Sequence, residues 1–177
     1  PQAGGLQALL VRGHDRDHRK PPAKRDFRER VKPEYDQKIL NIRRVARVAT
    51  GGRRFNFSVA MVIGNRKGSI GVATGKAGDT SLAIDKAVRS AKKNLLKVNT
   101  TKTMSIPHDV KMKFSSARIF IQPAPGRGLS AGSAIRDVLE LAGIKDVNAK
   151  IFSGSKNKLN IARATVMALQ SLNLTRP

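Results

Sequence analysis

Apolar side chains at every second position from Phe55 to Ile63 predict a β-strand with one buried face. A turn with two cations between glycines follows at residues 64–68. A second strand then alternates larger with small residues, with Ile70, Val72 and Thr74 on one face and Gly71, Ala73 and Gly75 on the other. The pattern predicts an antiparallel hairpin with a short basic turn.

The residues before this hairpin predict another strand that leads into a basic loop. Residues 35–48 hold three partial apolar anchors, which are Ile42, Val45 and Val48. Gly51 and Gly52 then interrupt the pattern, as expected where the chain turns. We therefore expect a long basic loop between this strand and the next.

A helix is predicted after the hairpin. Asp79 or Thr80 can cap its first turn, because a short side-chain oxygen accepts the free amides there. Apolar residues recur at helical spacing at Ile84, Ala87 or Val88, Ala91, Leu95 and Val98. A stripe of cations lies opposite, at Lys86, Arg89, Lys93 and Lys97. Such a stripe is either a solvated face or a surface that contacts RNA.

The rest of the chain predicts a second half of similar size. Residues 99–108 are polar and predict a linker. Strands at 110–114 and 117–122, a Gly/Pro-rich loop at 123–132, a helix at 133–142, a strand at 146–152 and a final helix follow in order. Two consecutive β-rich halves of this kind give an α+β fold class. Residues 1–34 predict a basic and polar extension, so the predicted domains are 35–98 and 109–177.

The charge of the chain indicates the kind of partner. Its 177 residues include 35 Lys and Arg against 12 Asp and Glu, a net charge of +23. Such a field favours a polyanion, above all nucleic acid, because phosphate contacts release counterions. An anionic membrane surface is the rival, but no segment approaches the ~18 consecutive apolar residues of a membrane span.

Aromatic residues are scarce, since the chain has six Phe, one Tyr and no Trp. We therefore expect recognition of the backbone and shape of folded RNA, and not base stacking as the main mode. The candidate RNA-binding residues are cations and glycines of the predicted loop, turns and helix stripe. They are Arg43, Arg44, Arg47, Gly51, Gly52, Arg53, Arg54, Arg66, Lys67, Lys76, Lys86, Arg89, Lys93 and Lys156.

Two glycine-rich segments resemble nucleotide-binding loops without matching them. Residues 71–77 have P-loop glycines one position too close, and Ala77 stands where a hydroxyl would bind magnesium. Residues 126–132 miss the dinucleotide spacing by one. Both segments could instead present backbone amides at the start of a helix, where any phosphate can bind.

Other catalytic or metal chemistry has few candidates. His14 and His18 lie four residues apart, near Asp15 and Asp17, but lack a third fixed ligand. The six acids after residue 40 form no closely spaced pair for general acid–base work. We therefore predict no enzyme activity, no metal, no cofactor and no small-molecule substrate.

Long motifs of the chain resemble one protein family. The run RVARVATGGRRFNFSVAMVIGNRKGSIGVATGKAGDTSLAIDKAVRSAKKNLLKV is similar to the first domain of the bacterial-type fifth protein of the small ribosomal subunit. The blocks IPHDV and ARIFIQPAPGRGLSAGSAIRDVLELAGIKDVNAKIFSGSKNKLNIARAT resemble its second domain, in the same order. The resemblance implies a double-stranded-RNA-binding-like domain (an antiparallel sheet plus a helix) followed by a second small β-α-β-α sandwich domain.

The resemblance also implies a function. It implies a structural ribosomal protein that clamps small-subunit rRNA near the junction of body and head, and that contributes to assembly and translational accuracy. Gly128 and Arg136 match positions at a seam with the fourth small-subunit protein, and the eighth is another implied partner. The implied location is the ribosome, in a bacterial cytoplasm or in an organelle matrix. The resemblance also implies that the chain does not form homo-oligomers.

Two functions of other classes compete with this expectation. A free-standing regulator or chaperone that binds structured RNA could use the same first domain without any partner-protein seam. A nucleotide-dependent enzyme is disfavoured by the glycine spacings and by the missing catalytic base.

Overall fold

A computed structural model describes residues 34–101 and 103–172. The first part of the described chain forms a four-stranded antiparallel sheet and one helix. In chain order these elements are β1 (Asp36–Ala49), β2 (Gly52–Gly64), β3 (Ser69–Ala77), α1 (Thr80–Lys93) and β4 (Leu96–Lys97). The strands of this first sheet are adjacent in the order of the chain.

The remaining elements form a second four-stranded sheet and two helices. They are β5 (Val110–Phe114), β6 (Ala117–Pro123), β7 (Leu129–Ala131), α2 (Ser133–Ala142), β8 (Val147–Ile151) and α3 (Lys158–Gln170). The strand order is β5-β6-β8-β7, with β7 parallel to β8. The predicted α+β class is confirmed. The short strand β7 was not predicted, because it lies inside the segment interpreted as a Gly/Pro-rich loop.

The described elements pack in four layers. Helix α1 covers one face of the first sheet, while α2 and α3 contact both that sheet's other face and the second sheet. One hydrophobic core therefore combines Val62 of β2, Ile135 of α2, Leu169 of α3 and Ile119 of β6. The outer face of the second sheet is left without a covering helix among the described elements.

Strand β2 differs from the prediction of a half-buried strand. Its residues from Val59 to Ile63 are all buried, including Ala60 and Val62, which alternate with the predicted core positions. The reason is that α1 packs on one face while α2 and α3 pack on the other. At the start of the same strand, Phe55 is 46% exposed instead of buried.

Helix α1 begins where its sequence predicts and buries Ala87 and Ala91 as expected, whereas the predicted Ile84 is only half-buried. The Asp79 carboxylate accepts a hydrogen bond from the Thr80 amide at 2.7 Å, so Asp79 is the cap. Its buried face is made of alanines (Ala83, Ala87 and Ala91), which allow a close approach to β3. The predicted helix was too long, because the chain leaves α1 after Lys93 and Leu96–Lys97 form β4.

The segment predicted as a linker, residues 99–108, is packed against the core. Ile106 is 2% exposed, and the Ser105 hydroxyl donates a hydrogen bond to the Asp146 carbonyl at 2.8 Å. The Asn99 side chain donates to the Leu172 carbonyl at 3.1 Å. The domain boundaries that were predicted at this segment remain a prediction. Residues 1–33, which include His14 and His18, lie outside the described residues.

We predict that Gly75→Ala destabilises the fold. A methyl group at position 75 would lie 2.1 Å from the Ala83 carbonyl oxygen and 2.5 Å from the Ala87 amide nitrogen, both in the backbone of α1. The helix would have to move off the sheet, so the free energy of unfolding should fall by about 1–3 kcal/mol in urea titrations.

Gly78→Ala is the matched control for this prediction. A methyl group there would meet only the Asn56 side-chain oxygen, at 4.0 Å. The control should leave the midpoint of unfolding nearly unchanged. Equal stability of Gly75→Ala and the wild-type chain would contradict the close-packing account.

Candidate nucleic-acid interface

The basic segment between β1 and β2 is a hairpin tip and not the long loop that was predicted. Strand pairing continues to Ala49 opposite Gly52, which leaves only Thr50 and Gly51 in the turn. Gly51 has φ +89° and Gly52 has φ +140°, backbone conformations that residues with a side chain rarely adopt. The two glycines therefore allow the strands to remain paired to the end of the hairpin.

This hairpin extends beyond the rest of the first sheet. Strand β3 pairs with β2 only as far as Phe57, opposite Ala77. The five residues of each strand that are paired beyond that point form a two-stranded ribbon about 17 Å long at about 3.3 Å per residue. Residues 46–55 are all exposed, and Val48, a predicted anchor, is 77% exposed. The other predicted anchor, Ile42, is 46% exposed, so β1 is held mainly by the buried Leu40.

The ribbon carries arginines on both faces. Arg47 lies directly opposite Arg54, and two residues further along the same face Val45 lies opposite Asn56. Because side chains alternate along a strand, Arg44 and Arg53 lie on the other face. Like charges directly opposite one another destabilise a sheet, so an anion bound between Arg47 and Arg54 would relieve their repulsion.

A row of polar side chains continues from the ribbon onto the sheet. Arg43 pairs with Ser58, which in turn pairs with Lys76, so the three residues lie side by side across three strands. On the opposite face, the Arg44 guanidinium lies 3.7 Å from the centre of the Phe55 ring. This cation–π contact holds the guanidinium beside an exposed ring.

Lys156 lies near the base of the ribbon. It immediately precedes Asn157, whose side chain caps α3 by accepting a hydrogen bond from the Leu159 amide at 3.2 Å. Asn157 and Leu159 line a small crevice of about 110 Å³ together with Arg43. The geometry therefore allows Lys156 and Arg43 to contact neighbouring parts of one ligand.

The predicted stripe on α1 forms an exposed basic face. Lys86, Arg89 and Lys93 are all exposed and lie three or four residues apart along the helix. Lys97, which was predicted to continue the stripe, instead belongs to β4. The exposed acid Asp85 lies next to Lys86 in the helix and partly offsets the stripe's charge.

Arg66 and Lys67 lie at the other end of β2, away from the ribbon. The Arg66 amide donates a hydrogen bond to the Leu141 carbonyl at 2.9 Å, which ties this turn to the end of α2. The Arg66 side chain is paired with the Asp36 carboxylate at 2.7 Å. The structure therefore does not bring these two cations together with the arginines of the ribbon.

The two candidate seam residues lie in one shallow depression. Gly128 and Arg136 line a space of about 400 Å³, together with Arg66 and Glu140. The Arg136 side chain is 58% exposed and lies 3.6 Å from Glu140. This depression is separate from the ribbon and carries both signs of charge.

Lys38, a cation of β1 that contacts α2, is not among the predicted site residues. Its ammonium lies 2.6 Å from the Asp137 carboxylate and 3.4 Å from that of Glu140. The hydrogen bond to Asp137 raises the pKa of Lys38. No sequence pattern indicates this contact, because the partners lie about a hundred residues apart in the chain.

The segments that resembled nucleotide-binding loops have other structures. Residues 71–77 belong to strand β3, so their backbone amides are not presented at a helix start as was predicted. Gly132 caps α2 without a side-chain hydrogen bond. Within residues 34–101 and 103–172, no group of three or more His, Asp or Glu side chains is arranged to hold a metal ion. No helix in this described part is long and apolar enough to cross a membrane.

Comparisons with known proteins identify two family regions in the chain. Residues 35–99 match the N-terminal domain of ribosomal protein S5, and residues 112–176 match its C-terminal domain. A protein of Mesomycoplasma hyopneumoniae strain 7448 named small ribosomal subunit protein uS5 is 39% identical over 156 residues, which is 87% of this chain and 72% of that protein.

A second relative has the same name. The protein of Mycoplasmopsis agalactiae strain PG2 is 43% identical over 140 residues, covering 78% of this chain and 60% of the relative. The two family regions and these relatives therefore agree on one family. The chain belongs to the ribosomal protein S5 family.

Proposed function

We propose that this chain is a structural constituent of the small ribosomal subunit that binds and clamps its rRNA. The observation that carries the proposal is the two-stranded ribbon of β1 and β2, with arginines on both faces beyond the edge of the sheet. The name of the relatives, small ribosomal subunit protein uS5, supports the assignment to that particle.

The ribbon suits a clamp because its two faces can contact different RNA strands. Arg47 and Arg54 would neutralise phosphates on one side, while Arg44 and Arg53 would do so on the other. Each neutralised phosphate releases condensed counterions, so binding of the free chain to isolated RNA should be tight at low salt and weaken steeply as salt increases, whereas a chain built into the assembled particle should stay there. The buried sheet behind the ribbon would hold the two RNA strands at a fixed angle.

Other candidate residues would extend this contact. Lys76 and Lys156 would bind RNA at the base of the ribbon, and the stripe of Lys86, Arg89 and Lys93 would contact it along α1. Arg66 and Lys67 would meet a separate part of the RNA, since they lie at the opposite end of β2. We place the contact near the junction of body and head, by analogy with the family.

The depression at Gly128 and Arg136 would form the seam with the fourth small-subunit protein, and the eighth is a further proposed neighbour. A seam that opens when the subunit closes on a codon is a two-state element, and its interface contacts would bias translational accuracy. We propose a division into domains at 35–98 and 109–177 and a location on ribosomes of a bacterial cytoplasm.

We predict that the chain sediments with the small subunit in high salt and that Arg53→Glu reduces its incorporation. Charged hydrogen bonds contribute about 1.5–3 kcal/mol each, so reversing one exposed cation should weaken rRNA affinity about tenfold or more. Sucrose-gradient sedimentation of a tagged chain, with and without ribonuclease, measures both effects.

Arg163→Glu is the control because it makes the same charge change at an exposed position of α3. It should be incorporated normally. Migration of the wild-type chain on heterogeneous RNA that salt removes would contradict a built-in ribosomal role. It would favour the free-standing RNA-binding regulator or chaperone instead.

We predict that Arg136→Glu raises misreading without preventing incorporation. Arg136 is largely exposed and its only ion pair among the described residues is the long one with Glu140, so the fold should tolerate the change. Interface couplings of about 1 kcal/mol correspond to about fivefold, so a reporter of near-cognate decoding should rise by up to that factor. If Arg136→Glu is incorporated normally and its misreading equals that of the Arg163→Glu control, the proposed role of the seam in accuracy is wrong.

A further inference from the structure

The outer face of the second sheet gathers aromatic residues that are far apart in the chain. Phe120 of β6 and Phe152, which follows β8, have ring centres 6.3 Å apart at a tilt of 48°. The Phe152 amide donates a hydrogen bond to the Arg118 carbonyl at 2.9 Å, so this residue is held against the edge of β6. Phe152 is nevertheless 66% exposed, so most of its ring is open to solvent.

Cations surround this aromatic pair in register across the strands. One row runs from Lys111 through Phe120 to Lys150, and the next pairs Lys113 with Arg118 beside Phe152. The Lys111 ammonium lies 5.4 Å from the centre of the Phe120 ring. Every second position of these strands thus faces outward, while Ile119 and Ile121 between them are buried in the core.

The same face also offers hydrogen-bonding groups beyond the aromatic rows. Gln122 of β6 pairs with Asn148 of β8, which pairs with Ser130 of β7. The exposed acid Asp109 comes just before β5, at this end of the face and away from Phe152. The two aromatic rows contain no acidic residue, so their charge is entirely positive.

A shallow depression lies beside Phe152. It has a volume of about 420 Å³ and is lined by Lys111, Lys113 and Arg118 as well as by the Phe152 ring. An apolar ring bordered by three cations does not suit an apolar protein surface, which would have to bury those charges without partners. An exposed ring beside cations suits a nucleic acid strand, because each base can stack on the ring and each phosphate can pair with a cation.

We propose that this face binds a single-stranded segment of RNA. Bases stack on Phe152 and Phe120, their phosphates lie against Lys111, Lys113, Arg118 and Lys150, and the amides of Gln122 and Asn148 bond to exposed base edges. This site is distinct from the ribbon of β1 and β2, whose arginines are proposed to bind phosphates. The chain therefore binds RNA by two modes, through the backbone at one sheet and through bases at the other.

The test compares two RNA oligomers of equal charge, each about ten nucleotides long, a length within the usual range for one such site. One carries normal bases and the other is abasic. Stacking contributes enough per base that the normal oligomer should bind the full chain at least about fivefold more tightly at about 0.15 M salt. Equal affinity for the two oligomers would overturn the proposal.

Variants of Phe152 locate the base-dependent binding. Phe152→Leu keeps an apolar side chain but removes the ring, so the preference for bases should fall to the part that Phe120 alone supports. Met167→Ala, which truncates a 40% exposed side chain on α3, should leave the preference unchanged. A full preference in Phe152→Leu would overturn the proposal, and urea unfolding checks that both variants are folded.

Phe152→Trp gives a readout at this site alone, because the chain has no other Trp. Normal oligomers should quench the indole emission and retain their affinity, while abasic oligomers should not quench it. Absence of quenching by the normal oligomer would contradict stacking at position 152. These binding measurements do not depend on incorporation into ribosomes, so their failure and failure of the sedimentation test are distinguishable.

A photoreactive benzophenone side chain at position 152 separates RNA from a protein partner in assembled particles. Crosslinks to RNA support the proposal. Crosslinks to a neighbouring protein would overturn it and make this face a protein-docking surface.

Discussion

The fold depends on the burial of the first sheet on both faces. Residues Val59 to Ile63 are enclosed by α1 on one side and by α2 and α3 on the other. A strand without an exposed face cannot slip in register or bend independently, because either movement would expose apolar side chains. Helix α1 can approach so closely only because glycines of β3 face its backbone.

This constraint explains how a strongly basic ribbon can be held in place. The arginines of the ribbon repel one another, and nothing in the ribbon itself offsets that repulsion. The ribbon continues the same two strands that are locked in the core, so it projects from a rigid base. In the proposed complex its cations would therefore be positioned before RNA arrives, and less conformational entropy would be lost on binding. The inner face of the second sheet packs on the same core, so its outer face is available for a second binding surface.

Much of the fold could be predicted from the sequence, because local patterns determine local structure. The hairpin, the cap at Asp79 and the end of α2 at Gly143, which has φ +82°, follow from residues close together in the chain. The burial of Ala60 and Val62 was missed because alternation reports one face of a strand, and not the layer that packs on the other. Strand β7 was missed because its pairing with β8 is distant in sequence.

The candidate site residues that could be predicted are likewise those that lie close together in the chain. The arginines of the ribbon were found because they crowd into one short stretch. Phe120 and Phe152 were counted only among the chain's few aromatic residues, since only the pairing of β6 with β8 brings them together. The Lys38–Asp137 contact could not be predicted either, because the two residues lie far apart in the chain.

The most direct test of the account is site-directed hydroxyl-radical probing of assembled small subunits. The chain has no Cys, so Val48→Cys and Ala49→Cys each attach one iron chelate, to opposite faces of the ribbon. The account predicts strong rRNA cleavage from both positions, in two different strands, and little cleavage from Met167→Cys on α3. Cleavage no stronger than from Met167→Cys, or an identical pattern in one strand from both positions, would contradict a ribbon that contacts a different RNA strand on each face.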